Sequence, residues 1–360
     1  RLQGDWSSDV CSSDLGVLKE RKEERKGKMR KVTALCALLG ASMALPEEYV
    51  RNNGPLLWKN FKQTHRKDYD PSEESRRYGI FMENMVEASA LEKRNPRAQY
   101  GMSPFADMTK EEFKSRHNLR VPKRKQKSEV MFSAAEVKAA LVTSVDWRSK
   151  GAVTPVKDQG QCGSCWAFSS TGGIEGAWQT AGNSLTSVSE QELVSCDKVD
   201  DGCNGGLMDN AFSWLQSKHS GAIVTESAYK YTSGTGRTGT CKSVSAMKVG
   251  STISGFKDVS HSESAMVTQI QKGPISIAVD AESGWQTYTG GILSSCSGKQ
   301  LDHGVLAVGL EAGKYWIVKN SWGSSWGESG YIRLEYGSKQ CGLNLSPVVP
   351  TVAAAGNYTA

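Results

Sequence analysis

The run Gln159-Gly160-Gln161-Cys162-Gly163-Ser164-Cys165-Trp166-Ala167-Phe168 gathers the residues best suited to covalent chemistry. Glycines beside a cysteine let another backbone approach closely. Cys165 opens an apolar, helix-like pattern, which would set its sulfur at the positive end of a helix dipole, where a thiol loses its proton more readily. Far downstream lie Leu301-Asp302-His303-Gly304 in a strand-like run and Lys319-Asn320-Ser321-Trp322-Gly323 in the loop after another strand. His303 and Asn320 follow Cys165 by 138 and 155 positions. A thiol, an imidazole and an amide are the types needed for a nucleophile, its proton partner and a group that orients the partner.

Each of these residues has a competing use. Cys162-x-x-Cys165 could be a redox pair, but the βαβ context of that motif is missing. Zinc would need four ligands at finger-like spacing, and no Cys/His group supplies them, so no metal or other cofactor is expected. His219 follows a predicted helix and His261 sits in a polar stretch; both read as surface residues. Asn320 alone could be a turn residue, and only its company with His303 and Trp322 argues otherwise.

The elements that must position these groups fall into two textures. Helices are predicted over 165–181, 189–194 and 208–218, the second opened by the capping-box pattern Ser189-x-x-Glu192. Strands follow at Ile275–Val279, 305–310, 315–318 and 331–334. A helical half followed by a β half predicts an α+β fold of two lobes with a cleft between them.

In front of this region, residues 47–118 read as amphipathic helix, with Leu56, Leu57, Trp58 and Phe61 clustered and Arg77, Phe81, Asn84 and Met85 at helical spacing. Residues 120–140 pass from a basic run (Arg120, Lys123, Arg124, Lys125, Lys127) into a loose Ala/Ser stretch, which reads as a cleavable linker. Met29, Arg30 and Lys31, the apolar run 32–39 and the small residues Ala41, Ser42 and Ala44 predict a signal peptide over 29–44. Residues 1–28 then have no place in the protein and read as non-native or upstream-translated sequence.

The 360 residues carry a net charge of +6, but residues 1–44, 45–140 and 141–360 contribute +3, +5 and −2. The later region is therefore close to neutral, and no aromatic residues interleave with the basic run, so no nucleic-acid partner is expected. The 32–39 run is too short to span a bilayer, and no later segment approaches the required length. Two of the nine cysteines, Cys11 and Cys36, fall in the discarded front end. The remaining seven are an odd number for a secreted chain, which three disulfides and one free thiol would satisfy.

On the run 159–168, the His303 and Asn320–Trp322 motifs and the downstream Trp326, the sequence resembles the papain-family (cathepsin L-like) cysteine proteases, nearest in texture to kinetoplastid members over 156–169 and 300–308. The resemblance runs from about residue 45 to 350. It implies a papain-like two-lobe fold, a helical lobe and a β-barrel-like lobe, behind a helical inhibitory propeptide. The implied boundaries are 45–141 for the propeptide, 142–350 for the peptidase and 351–360 for a short tail.

The same resemblance implies the roles. Cys165 would be the nucleophile, His303 its proton partner, Asn320 the orienting amide under a cover of Trp322, and Gln159 with the Cys165 N–H the oxyanion hole. Gly206 and the carbonyl of Asp302 would hold substrate backbone, and Leu207, Met208, Ala278, Leu301 and Ser346 would line the main specificity pocket. The implied disulfides are Cys162–Cys203, Cys196–Cys241 and Cys296–Cys341, each closing a loop of about forty residues and worth ~3–4 kcal/mol.

Expected partners are protein and peptide substrates, the chain's own propeptide as inhibitor and cystatin-like inhibitors, met by a monomer in the secretory pathway, in a lysosome-like compartment or outside the cell. The implied activity is that of an endopeptidase, since adjacent histidines of the kind used by carboxydipeptidase relatives are absent.

The propeptide reading rests on Glu73, Arg77, Phe81 and Asn84, with Ala88 and Glu92 departing from the family pattern, and on Gly101-x-Ser103-x-Phe105-x-Asp107. Asp107 is expected to lose its charge in acid and loosen the propeptide, and cleavage is expected near Leu141–Ser144.

Overall fold

The computed structural model describes residues 45–117, 119, 130–281, 284–298 and 300–353. The predicted signal peptide, the segment before it, the basic run 120–127 and the end of the tail lie outside the described residues.

The helices are α1 (Glu47–His65), α2 (Pro71–Arg94), α3 (Lys110–Lys114), α4 (Ala134–Ala140), α5 (Cys165–Thr180), α6 (Glu190–Cys196), α7 (Met208–His219) and α8 (Glu263–Ile270). The strands are β1 (Ala98–Tyr100), β2 (Val145–Asp146), β3 (Ala222–Val224), β4 (Val249–Thr252), β5 (Gly255–Asp258), β6 (Ile275–Val279), β7 (Tyr288–Leu293), β8 (His303–Glu311), β9 (Tyr315–Lys319), β10 (Tyr331–Glu335) and β11 (Val348–Thr351).

Apolar side chains sort into separate cores. One joins α5, α6 and α7 through residues such as Trp166, Ile174, Leu193, Phe212 and Leu215. A second is built on the sheet and α8 from Ile275, Ile277, Val279, Trp285, Trp316 and Trp326. A third belongs to α1 and α2, where Trp58, Phe61 and Phe81 pack with ring centroids 4.9–5.4 Å apart.

The sheet runs β1-β7-β10-β9-β8-β6-β11-β5, with β2 added to β8. All neighbours are antiparallel except β7 and β10. Among the described residues the path ends at β1 and β5 and does not close, which corrects the barrel-like expectation to an open sheet. One edge strand, β1, comes from the segment 47–118 and pairs with β7, so that segment is joined to the later region by backbone hydrogen bonds.

The predicted capping box forms by half. Ser189 Oγ accepts the Glu192 N–H at 3.0 Å, but the Glu192 carboxylate turns away and accepts the Val224 N–H at 2.8 Å. Burial pushes the Glu192 carboxyl up to about 7, with the bond from Val224 opposing the shift. Complete boxes form at Thr109/Glu112 and at Ser133/Glu136, and the second opens α4 inside the stretch read as loose linker.

His219 also differs from expectation. It ends α7, only partly exposed, with Nδ1 3.7 Å from Glu192 Oε1. Asn344, in a possible glycosylation motif, is 2% exposed and donates to the His261 carbonyl at 2.6 Å, so the fold itself uses that side chain.

Candidate active site

Strand pairing brings the downstream motif residues to one end of the sheet. His303 starts β8 opposite Val279 on β6, and Asn320 directly follows β9, which pairs with β8. His303 Nε2 lies 2.7 Å from Asn320 Oδ1, an acceptor, so Nε2 carries the proton and Nδ1 faces away from Asn320. Trp322 stacks on the imidazole with centroids 4.5 Å apart and an interplanar angle of 22°, and is itself buried. Trp285 and Trp326 continue this aromatic wall.

The first turn of α5 packs on the start of β8. A Cβ added at Gly304 would lie 3.1 Å from the Cys165 carbonyl oxygen, and Ser169 Oγ donates to the Val305 carbonyl at 2.7 Å. Cys165 therefore starts its helix beside the strand residue that follows His303, and glycine permits that approach. Both side chains are fully buried.

Cys162–Cys203, Cys196–Cys241 and Cys296–Cys341 are disulfides, and Cys165 takes part in none of them. The bond from Cys162 to Cys203 removes the redox-pair alternative.

Gln159 is held from several sides. Its N–H donates to the Ser321 carbonyl at 2.9 Å, Ser321 Oγ donates to its Oε1 at 2.7 Å, and a bridge pairs Asp158 with Trp322. Its Nε2 donates to the Cys162 carbonyl at 2.9 Å and to the Arg116 carbonyl at 2.6 Å. Arg116 precedes the expected peptidase boundary at 142, so a carbonyl of the preceding segment already sits on that amide.

Three positions after Arg116, Leu119 donates its N–H to the Asp302 carbonyl at 2.9 Å. Its side chain is 2% exposed and joins the cluster that holds Cys165, Met208 and Ala278, with Leu207 and Leu301 packed against it. Ser346 is half-buried, before Pro347. Gly206 fits where a Cβ would meet the Trp166 ring at 2.6 Å and Asp200 at 2.7 Å.

His117 is a further site residue, which sequence reasoning overlooked. Its fully buried ring lies 5.6 Å from His303, 5.8 Å from Trp322 and 4.8 Å from Phe113, with Nε2 3.6 Å from Asp302 Oδ2. Burial, His303 and Lys114 together hold His117 well below the ordinary imidazole range. Burial likewise lowers His303 from 6.5 to about 4, and the bond to Asn320 offsets only part of this. Burial therefore favours the neutral form of both rings.

A brace of ion pairs and amide hydrogen bonds joins the residues singled out over 73–107. Arg77 bonds Glu73 at 2.7 Å and Glu112 at 2.6 and 3.0 Å, and Asn84 donates to the carbonyls of Ala106 and Met108. Burial favours the neutral Glu112 acid, but bonds from Arg77, the Thr109 N–H and Arg76 outweigh it and hold the carboxyl at about 2. Asp107 takes Lys67 at 2.9 and 3.1 Å and the Tyr69 hydroxyl, all inside the propeptide. Ser103 donates to the Gln286 carbonyl, while Phe105 and Phe113 sit edge-on to Trp322. Ala88, a departure from the family pattern, is buried in the sheet core.

Among the described residues no group of His, Cys, Asp and Glu is placed to hold a metal ion, and no helix is long and apolar enough to cross a membrane.

Residues 141–351 match the papain family cysteine protease model, and residues 58–113 match the cathepsin propeptide inhibitor domain. The chain is 47% identical over 321 residues to a cysteine proteinase of Trypanosoma brucei brucei, covering 86% of this chain and 70% of that one. It is 48% identical over 308 residues to cysteine proteinase A of Leishmania mexicana, covering 81% and 84%. The structure of digestive procathepsin L 3 from the larval midgut of Tenebrio molitor superposes with a TM-score of 0.69 at 40% identity, covering 83% of this chain and 99% of that one. The chain belongs to the papain family of cysteine proteases and is the zymogen of a cysteine endopeptidase, with its inhibitory propeptide in place.

Proposed function

We propose that this endopeptidase cuts peptide bonds through a Cys165–His303 thiolate–imidazolium pair and an acyl-enzyme. Once the propeptide leaves, water reaches His303, the penalty on its charged form falls, and the ring can take the Cys165 proton. The thiolate attacks the scissile carbonyl, and Gln159 Nε2 and the Cys165 N–H receive the oxygen as it becomes negative. His303 Nδ1 gives its proton to the departing amine, then takes one from the water that hydrolyses the thioester. Asn320 keeps the ring in the orientation that both transfers need.

The observation that carries this reading is the Arg116 carbonyl on Gln159, beside the fixed His303–Asn320 pair. A carbonyl is bound where the mechanism requires one. Acid activation of the precursor, a fluorogenic peptide panel and N-terminal sequencing test it. Activity should appear together with a new terminus near Leu141–Ser144, which is exposed throughout. No activity after complete processing would contradict it.

Leu119 supports an apolar pocket for the residue two places before the cut, lined by Leu207, Met208, Ala278, Leu301 and Ser346, with Gly206 and Asp302 holding substrate backbone. Leu, Phe or Val there should exceed Arg by roughly tenfold or more in kcat/KM, because the guanidinium would lose water without a partner. A peptide-library profile led by Arg would contradict this.

Acid release is carried here by imidazoles in the docking contact rather than by the propeptide brace. Glu112, at about 2, stays ionised in mild acid. Asp107 spends its carboxylate on Lys67 and Tyr69, away from the docking contact. His117 and His303 have closed-state values below 6.5, so the open state binds more protons. The closed state is then fully stable above about pH 6.5 and loses stability as pH falls toward about 4. For His303 alone the difference is of the order of 3 kcal/mol.

The precursor should stay latent above about pH 6.5 and convert progressively below it. The substitution His117→Phe keeps a ring but removes the proton site, and should move the conversion midpoint down by roughly half a unit or more. An unchanged midpoint would remove His117 from the account.

Three disulfides favour folding in an oxidising compartment, which fits the secretory pathway with a lysosome-like or external destination. The proposed site lies within one chain, so a monomer suffices, and inhibitors of the cystatin type would compete for the same cleft.

A further inference from the structure

Ser164 is the N-cap residue of α5, yet its side chain caps nothing. An N-cap serine ordinarily accepts an N–H of the first turn and so stabilises its helix. Here its hydroxyl lies 2.8 Å from the hydroxyl of Tyr231, in the loop before β4. The Tyr231 hydroxyl also reaches the Gln159 carbonyl at 2.8 Å.

Proton counting fixes the direction. A carbonyl only accepts, so the single phenolic proton goes to Gln159, and the Ser164 hydroxyl must donate to Tyr231. The chain Ser164 O–H to Tyr231 O–H to Gln159 C=O joins the residue before the nucleophile to the residue bearing the proposed oxyanion amide.

The loop carrying this phenol is itself fastened. Gln191 on α6 accepts the N–H groups of Thr232 and Ser233 at 2.6 and 3.0 Å, and its Nε2 donates to Ser233 Oγ at 2.8 Å. Gln161 N–H donates to the Gly234 carbonyl at 2.8 Å, and a Cβ on Gly160 would strike that carbonyl. The Tyr231 ring sits edge-on to Phe168, 5.0 Å away. Burial pushes the Tyr231 hydroxyl well above the ordinary phenol range, so it remains a neutral donor at any working pH.

We infer that Tyr231 is a positioning residue for amide hydrolysis, its hydroxyl holding the Gln159 arm of the oxyanion hole in register with the Cys165 arm. The inference rests on the proposed acyl-transfer mechanism. It assigns Tyr231 no contact with substrate. A register error of a fraction of an ångström matters because oxyanion donors act only at the position where charge develops.

The test compares processed wild-type enzyme with Tyr231→Phe and Ser164→Ala, each normalised by active-site titration. Tyr231→Phe keeps the ring on Phe168 and deletes only the hydroxyl. It should lower kcat about tenfold with KM within about twofold, and weaken a peptide aldehyde inhibitor by a similar factor. Alkylation of Cys165 by iodoacetamide develops no oxyanion, so its rate and pH profile should stay within about twofold of wild type.

Ser164→Ala leaves the Tyr231 bond to Gln159 and should show the same pattern at roughly two- to threefold. Unchanged hydrolysis in Tyr231→Phe overturns the inference. So does a parallel fall in hydrolysis and alkylation, which would mean a general loosening or an effect on the thiolate. If Tyr231→Phe does not accumulate folded, Ser164→Ala decides: a loss of kcat alone supports the inference, and no loss overturns it. Wild-type enzyme that fails to hydrolyse peptides overturns the proposed mechanism instead.

Discussion

Cys165 in the intact precursor is expected to react with iodoacetamide at least about 10³-fold more slowly than Cys165 in the processed enzyme near pH 6. Two independent causes multiply. The thiol is fully buried beneath the propeptide, with Leu119 packed in the same cluster. His303, its proposed proton partner, is lowered to about 4 by burial and is neutral at that pH. A neutral imidazole cannot hold a thiolate, and a shift of more than two units is by itself about a hundredfold in the charged population. On the proposed mechanism, latency is electrostatic as well as steric. Time courses of labelling on precursor and processed enzyme, followed by peptide mapping, check it. Equal rates would mean that the thiol is open and already ionised in the precursor.

Removing the amide in Gln159→Ala is expected to lower kcat by about 10²–10³ with little change in KM. The wild-type amide is preorganised, since Ser321 Oγ and the Ser321 carbonyl fix both ends of the residue. Alkylation of Cys165 should change little, because the thiolate pair is left intact. The same substitution deletes the donor to the Arg116 carbonyl, so the propeptide added in trans should inhibit the variant more weakly, by roughly tenfold. Steady-state kinetics and propeptide titration read both effects. A Gln159→Ala enzyme with full kcat would place the oxyanion hole elsewhere.

The parts of the site legible in the sequence are those written as contiguous motifs. Cys165 announces itself by the glycines around it and the helix it opens, and the motifs at His303 and Asn320–Trp322 mark the two strand ends that the sheet brings together. The adjacency of those ends required the resemblance, because nothing local encodes a pairing between distant segments.

Arg116 and Leu119 were not legible. They occupy the cleft largely through backbone groups, a C=O on Gln159 and an N–H on Asp302, which any residue could supply. His117 left no periodic signal, and its importance comes only from the rings packed on it. Tyr231 reads as an ordinary loop aromatic until its hydroxyl is seen between Ser164 and Gln159.

The α4 helix was legible and overlooked, since Ser133-x-x-Glu136 carries the same signature noticed at Ser189. At Ser189 the signature overstated the outcome, because Glu192 found a tertiary partner in Val224.

The decisive measurement is the rate of Cys165 alkylation in the processed enzyme as a function of pH. A sulfur kept as thiolate by His303 should react rapidly and almost uniformly from about pH 5 upward, and the substitution His303→Ala should convert this to an ordinary thiol profile. A wild-type profile that rises only near pH 8.5, the value of an isolated cysteine, would contradict the account.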